Sequence, residues 1–376
     1  MRVLYFSLTY TPHDFRFLTA LAASPHEVWF LRLRADPPHP ETRPLPARIR
    51  ELRFSTALPA VCADPAAWLA LLPEFQCILA KLKPDVVHAG PVQSCGFLTA
   101  HAGFQPFLLM SWGRDILLDA DRNAAWHAVT AFTLQQAQWL QCDCDAVRER
   151  VRIFRPLADE RIVQFPWGVD LARFAPGVDL LRLRDRPEWA GAFIILSTRS
   201  WEPVYDIPTL LEAFRLAHAR EPRLRLVLLG DGSQSALVKD FIQRHQLTKA
   251  VLLPGRLGND DSPAWFRAAD AYLSCSLTDG SSISLLEALA TGQPVIVSDI
   301  PGNREWVHPG ENGWLVAPGD AGAFATALLD AFGQAPAVRK AMQTANRGVA
   351  ATRANWLANF PRLLEAYALI AATYAR

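Results

Sequence analysis

The sequence predicts an α/β protein built from two doubly wound, Rossmann-like domains, and three observations predict it. Short continuous apolar runs alternate with helical stretches along the whole chain, the pattern of parallel strands covered on both faces. The alternation comes as two series, separated at 171–192 by a stretch carrying Pro176, Gly177, several charges and Pro187. The 376 residues suffice for about two domains, each able to bury a core. In such folds ligands sit at the C-terminal ends of the strands, here expected in a cleft between facing domains.

The first series reads as strands at 3–7, 27–31, 85–89, 107–111 and 161–165. Helical sequence lies at 14–23, 94–102 and 122–140. The second series reads as strands at 193–198, 224–230, 251–253, 271–274 and 295–298, with helices at 207–220, 233–245, 262–268 and 282–291. Three helical segments close the chain at 320–333, 336–350 and 355–374. Trp356, Leu357, Phe360, Leu363, Leu364, Tyr367 and Ile370 are spaced like one helix face. The expected division is 1–170, a connection at 171–192, 193–350, and a last helix at 351–376 returning to the first domain.

Composition excludes several classes. With 51% hydrophobic and 20% charged residues the chain is not disordered. A net charge of +1 lacks the basic surplus of a nucleic-acid binder. No run of about 18 apolar residues spans a membrane, and the N-terminus reads as a strand rather than a signal peptide. The six cysteines form neither a disulfide framework nor a zinc-ligand pattern, so reduced thiols in a cytoplasmic protein are expected. No G-x-G-x-x-G follows the first strand of either domain, which argues against a dinucleotide-dependent oxidoreductase.

The densest chemical signal is the stretch from Asp279 to Ser298. A strand ends near Ser276, and a loop with Gly280, Ser281 and Ser282 opens a helix through Ile283 and Ser284. Free N–H groups at a helix start, backed by the helix dipole, bind phosphate. Glu287 lies further along that helix, within reach of sugar hydroxyls of a nucleotide. The same serines could instead only cap their own helix.

Asp279 and Glu287 stand eight positions apart. This stretch resembles the acidic-x7-Glu motif of retaining nucleotide-sugar glycosyltransferases of GT-B architecture (family 4-like, glycosyl transferases group 1). The order of further segments carries the same resemblance: Pro166-Trp167-Gly168-Val169-Asp170, Gly230-Asp231-Gly232, Pro254-Gly255-Arg256, Pro301-Gly302-Asn303 and Asn312-Gly313. The resemblance implies two domains facing across a cleft, with a C-terminal helix returning to the first. It implies transfer of a sugar, with retention, from a UDP- or GDP-sugar to a hydroxyl of a glycan, lipid-linked or small-molecule acceptor. No cofactor beyond that donor substrate, and no metal, is implied.

By the same resemblance Asp279 contacts the donor sugar, Glu287 the ribose, and the backbone from Gly280 to Ser284 the distal phosphate. Arg199 grips the diphosphate, and Gly232, Arg256 and Leu257 lie along the nucleotide. Two departures stand out. Tyr205 falls nearest the place of a family Lys, and Trp112 stands where many members have a His. Tyr205 could donate one hydrogen bond but supplies no charge, and Arg304 is a candidate replacement cation. Trp112, Asp115, Tyr10 and Thr11 are the acceptor-side candidates; Asp115 could equally cap a helix near 116. The losses leave two alternatives open, a degenerate sugar-nucleotide-binding subunit or a GT-B sugar-nucleotide epimerase. Finally, 28 prolines are unusually many, and several cluster at 37–46 among Arg32, Arg34, Arg43, Arg48, Arg50 and Arg53. That stiff basic segment is expected to touch anionic lipid peripherally at the inner face of a membrane.

Overall fold

The computed structural model describes residues 1–34, 41–56, 64–258 and 261–374. The chain divides into two compact units, Met1–Phe165 together with Phe360–Arg376, and Pro166–Asn359.

In the first unit the order is β1 (Arg2–Ser7), α1 (Pro12–Ala22), β2 (Glu27–Arg32), β3 (Arg50–Arg53), α2 (Leu72–Leu82), β4 (Val86–Gly90) and α3 (Phe97–Ala102). Then come β5 (Phe107–Met110), α4 (Arg114–Leu117), α5 (Ala124–Gln136), β6 (Trp139–Cys142), α6 (Asp145–Phe154) and β7 (Ile162–Gln164). Among the described residues these strands form one parallel sheet ordered β3-β2-β1-β4-β5-β6-β7.

The second unit runs β8 (Phe193–Ser197), α7 (Ile207–Arg220), β9 (Leu224–Leu229), α8 (Ser235–Arg244), β10 (Val251–Gly255), α9 (Ser262–Ala268) and β11 (Ala271–Ser274). It continues with α10 (Ile283–Thr291), β12 (Val295–Ser298), α11 (Pro301–Arg304), β13 (Gly313–Val316), α12 (Ala321–Gly333), α13 (Pro336–Arg353) and α14 (Trp356–Asn359). Its described strands are ordered β10-β9-β8-β11-β12-β13 and all pair in parallel.

The alternation of the strands explains the two cores of the second unit's sheet. Along β8, Ile195 joins one cluster with Leu210, Phe214 and Leu226, while Ile194 and Leu196 join another with Tyr272, Leu285 and Trp306. Successive side chains point to opposite faces, so a strand apolar at every position must be covered twice.

The sequence reading departs from the structure where apolar runs are short. Residues 122–140 read as one helix, but α5 ends at Gln136 and β6 begins at Trp139. A four-residue buried strand continues a helical apolar pattern and cannot be told from it by period. The strands β3 and β13, the helices α2 and α6 and the one-turn helix α11 were not read at all. The expected helix at 355–374 is broken at Pro361, which begins α15 (Pro361–Tyr374).

Residues 171–192, expected as a connection, fall in the second unit, and Phe174, Leu183 and Trp189 are buried in its core. The Arg347 guanidinium donates to the carbonyls of Leu171, Phe174 and Ala290 and ties this stretch to α10. In the first unit, α15 buries Leu363, Ala366, Tyr367 and Ile370. The Tyr367 hydroxyl lies 2.7 Å from His88 Nδ1 on β4. Burial lowers the His88 pKa to about 3, so this imidazole is neutral and structural.

Part of the Pro-rich segment, 35–40, lies outside the described residues. Four of its described arginines are paired with acids, while Arg34 makes no ion pair among the described residues. Arg43 pairs with Glu41 and stacks on Phe15, Arg32 and Arg53 pair with Glu51, and Arg50 pairs with Glu27. Arg48 donates to the Ala22 carbonyl. The expected contact with anionic lipid therefore has only Arg34 and Arg48 as arginines without an acid partner among the described residues of the segment. No helix of these residues is long and apolar enough to cross a membrane.

Candidate active site

The strands β8 and β11 are parallel neighbours, with Ala271 opposite Ile195 and Tyr272 opposite Leu196. The loops that follow them therefore leave the sheet side by side. One carries Arg199 and the other Asp279 through Ser282, which is why residues eighty apart in sequence meet.

Arg199 is the hub. Its Nη2 donates to Asp279 Oδ2 at 2.7 Å, and its Nη1 donates to Ser282 Oγ at 2.7 Å and Ser284 Oγ at 3.0 Å. Its guanidinium carbon lies 4.0 Å from the Tyr205 ring centroid. The side chain is only 10% exposed. Burial alone would lower its pKa, but the Asp279 carboxylate, followed by Tyr205 and Tyr272, raises it above the ordinary value. Arg199 is thus a fixed, permanently charged fork at the end of a strand.

The α10 start is uncapped by its own side chains. Ser282 is the N-cap residue but makes no side-chain bond to the helix backbone. Its hydroxyl accepts from Arg199 instead. The self-capping alternative is thereby set aside, and backbone N–H groups at the start of a nine-residue helix stay available beside Arg199. Gly280 and Ser281 are buried, and Ser281 Oγ accepts from Trp306 Nε1 at 3.3 Å. Glu287 is half-buried in the second turn.

Residues that sequence reasoning did not assign hold this loop. A Cβ on Gly302, the second residue of α11, would stand 2.5 Å from the Asp279 and Gly280 carbonyl oxygens. Only glycine permits that approach. The Tyr272 hydroxyl, on β11, donates to Ser284 Oγ at 2.8 Å. In sequence Tyr272 is one more apolar strand residue, whereas Pro301-Gly302 after a strand was a visible signal.

Tyr205 supports Arg199 through its ring face, a different contact from the phosphate hydrogen bond expected of it. Arg304 is no free replacement for the missing Lys, because it is exposed and clasps Asp299 at 2.6 and 3.1 Å. Gly232 sits where a Cβ would be 2.5 Å from the Trp201 carbonyl oxygen, so its loop lies against the residues after Arg199. Arg256 is exposed at the end of β10, and Leu257 packs partly against the core beside Trp265.

The four acceptor-side candidates belong to the first unit, and their environments differ. Thr11 caps α1 reciprocally with Asp14: the Asp14 N–H donates to Thr11 Oγ1, and Thr11 N donates to Asp14 Oδ2. Tyr10 is 6% exposed and donates to the Pro44 carbonyl, and burial raises its hydroxyl pKa to about 12. Asp115 is 3% exposed and its oxygens are taken up by Ser111 Oγ and the N–H groups of Val92, Trp112 and Ile116. Of the two roles expected of Asp115, the geometry shows the local one: it locks the 111–113 turn at the start of α4. Trp112, half-buried on that turn, packs on His13 with ring centroids 5.6 Å apart.

Two family models divide the chain as the fold does. "Glycosyl transferase 4-like" matches residues 2–143 and "Glycosyl transferases group 1" matches residues 183–348. Both models describe glycosyl transferases, each over less than half of the chain, and the fold is of the GT-B type. The chain's curated relatives include a putative colanic acid biosynthesis glycosyltransferase of Escherichia coli, 30% identical over 197 residues, 49% of this chain and 46% of that one. A putative glycosyltransferase of Bacillus subtilis, EpsD, is 28% identical over 46% of each chain. The chain thus spans about half the length of these relatives. Among solved structures, sucrose-phosphate synthase from Thermosynechococcus elongatus superposes with a TM-score of 0.83 at 19% identity, covering 99% of this chain and 100% of that one. Anabaena HepE in complex with UDP-glucose gives a TM-score of 0.79 at 16% identity over 98% and 99% of the two chains. At such identities the likeness is one of fold.

Proposed function

We propose that this GT-B glycosyltransferase transfers a sugar, with retention, from a UDP- or GDP-sugar to a hydroxyl acceptor, a glycan, a lipid-linked glycan or a small molecule. The observation that carries the reading is the Arg199 fork beside the uncapped start of α10. As the glycosidic bond breaks, negative charge grows on the distal phosphate. Arg199 and the N–H groups at Ser282–Ser284 would stabilise it in place. Asp279 would meet the sugar hydroxyls and Glu287 the ribose. The departing phosphate would take the acceptor's proton, so Trp112 in the place of a His is compatible with the chemistry. The UDP-glucose found in the HepE structure supports a nucleotide-sugar donor.

Glu287→Gln should weaken binding of the nucleoside diphosphate by roughly tenfold, since one charge-assisted bond is lost. Calorimetry with UDP and GDP measures this, and equal affinity would remove Glu287 from the site. A second reading, a non-catalytic sugar-nucleotide binder, is favoured by Tyr205 in the place of the Lys. It would stand if donor binds but no product forms with a mixed acceptor pool. An epimerase would instead release a sugar isomer without acceptor, visible by NMR.

A further inference from the structure

The second unit has cavities at the opposite end of its sheet from Arg199. One, of about 370 Å³, is lined by Arg267, Lys340 and Arg347 with Thr291, Gly292 and Gln293. Its neighbour, about 610 Å³, is lined by Arg223 and Arg339 with Gly191, Phe193 and Phe332. The two share Ala269, Asp270 and Gln343. Gly191 precedes β8 and Asp270 precedes β11, so the walls sit at the N-terminal ends of the strands whose C-terminal ends lead to Arg199 and Asp279.

The charge here is unbalanced. Arg267, Lys340 and Arg347 make no ion pair among the described residues, and Arg339 faces only the shared Asp270 carboxylate. Arg223 is paired with Glu221. The one acid in the wall, Asp270, already serves Arg184 and the Ile194 N–H. In a chain whose total charge is +1, three unpaired cations, with Arg339 and Arg184 sharing a single carboxylate, are a local excess around adjoining cavities. Two of them are also rigid. Arg267 donates to the Arg173 and Ala175 carbonyls, and Arg347 to those of Leu171, Phe174 and Ala290. Carbonyls hold these guanidiniums in place without cancelling their charge. Such preorganised forks suit the planar, bidentate approach of phosphate oxygens.

We infer that these adjoining cavities bind a small phosphate-bearing anion at a site separate from the Arg199 cluster. The volume of each cavity is in the range of small-molecule sites. The half-buried Phe332 offers apolar surface to the rest of such a molecule, with Phe193 buried behind the same wall. Thr291 and Gly292 lie at the C-terminal end of α10, so an occupant touches the far end of the helix whose start lies beside Arg199.

The test is calorimetric titration of the full chain with inorganic pyrophosphate, using wild type, Arg339→Glu/Lys340→Glu and Arg199→Ala. Wild type and Arg199→Ala should bind at this site, and the double variant should bind there at least about tenfold more weakly. If circular dichroism shows the double variant unfolded, Arg339→Gln/Lys340→Gln replaces it with the same expectation. Binding kept by the double variant and lost in Arg199→Ala would put the anion at the Arg199 cluster and overturn the inference. Undiminished binding in every variant, or none to wild type at about 10 mM, would overturn it as well. Failure of the sugar-transfer reading leaves these outcomes unchanged.

Discussion

The plane of the Arg199 guanidinium is set by neighbours on two sides, the Tyr205 ring on its face and Asp279, Ser282 and Ser284 on its edge. A cation over a ring with little water is worth about 1–2 kcal/mol. Tyr205→Phe should therefore keep donor affinity, while Tyr205→Leu should weaken it by roughly three- to thirtyfold, read by calorimetry with UDP and GDP. Equal behaviour of the two variants would mean that the hydroxyl, or nothing at Tyr205, matters. Asp115 makes a pH prediction. Burial pushes its carboxyl up to about 6, against the downward pull of hydrogen bonds from Ser111, Val92 and Trp112. The folded chain thus holds this proton more tightly than the unfolded chain does. The resulting stability is present below about pH 4 and is lost as pH rises through about 6. Asp115→Asn removes the titration, so its stability relative to wild type should rise between pH 4 and pH 7 in urea unfolding. A constant difference would contradict the assignment.

At the scale of elements, the loop and helix from Asp279 to Thr291 were legible because loop glycine, helix pattern and acid spacing coincide there. What the sequence could not show is who holds the loop. Gly302 comes from the next βα turn, and Tyr272 acts through a hydroxyl hidden in an apolar strand. Gly302→Ala should cost about 1–3 kcal/mol, because a methyl group must displace two carbonyl oxygens. It should also weaken nucleotide binding by shifting the Asp279–Gly280 backbone; unchanged stability and binding would refute the close approach. The sequence leaves Asp115 between two roles. A half-exposed sugar contact and a buried turn lock have the same sequence signal, and only hydrogen-bond geometry separates them. The short strands β3, β6 and β13 escaped for a third reason, since four residues do not define a period.

At the scale of the molecule, two α/β units, most of the long helices and the central strands of both sheets followed from alternation alone. The unit boundaries depend on packing that alternation does not encode. Residues 171–192 look like a connection in composition, yet Phe174, Leu183 and Trp189 are core residues. The chain from Phe360 is part of the first unit, whereas the expected returning helix begins at 351. Deleting residues 361–376 would uncover the surface beneath Leu363, Tyr367 and Ile370 and leave His88 without its tyrosine. Such a variant should lose several kcal/mol, seen as a lowered melting temperature; an unchanged melting temperature would show that α15 contributes nothing to the first unit. The central claim concerns the whole chain acting as an enzyme through Arg199. Release of nucleoside diphosphate from a panel of UDP- and GDP-sugars, with a mixed acceptor pool, tests it most directly. Wild type should turn over at least one donor, and a folded Arg199→Ala variant should do so about 10²–10³-fold more slowly. Equal rates in the two proteins would contradict the account.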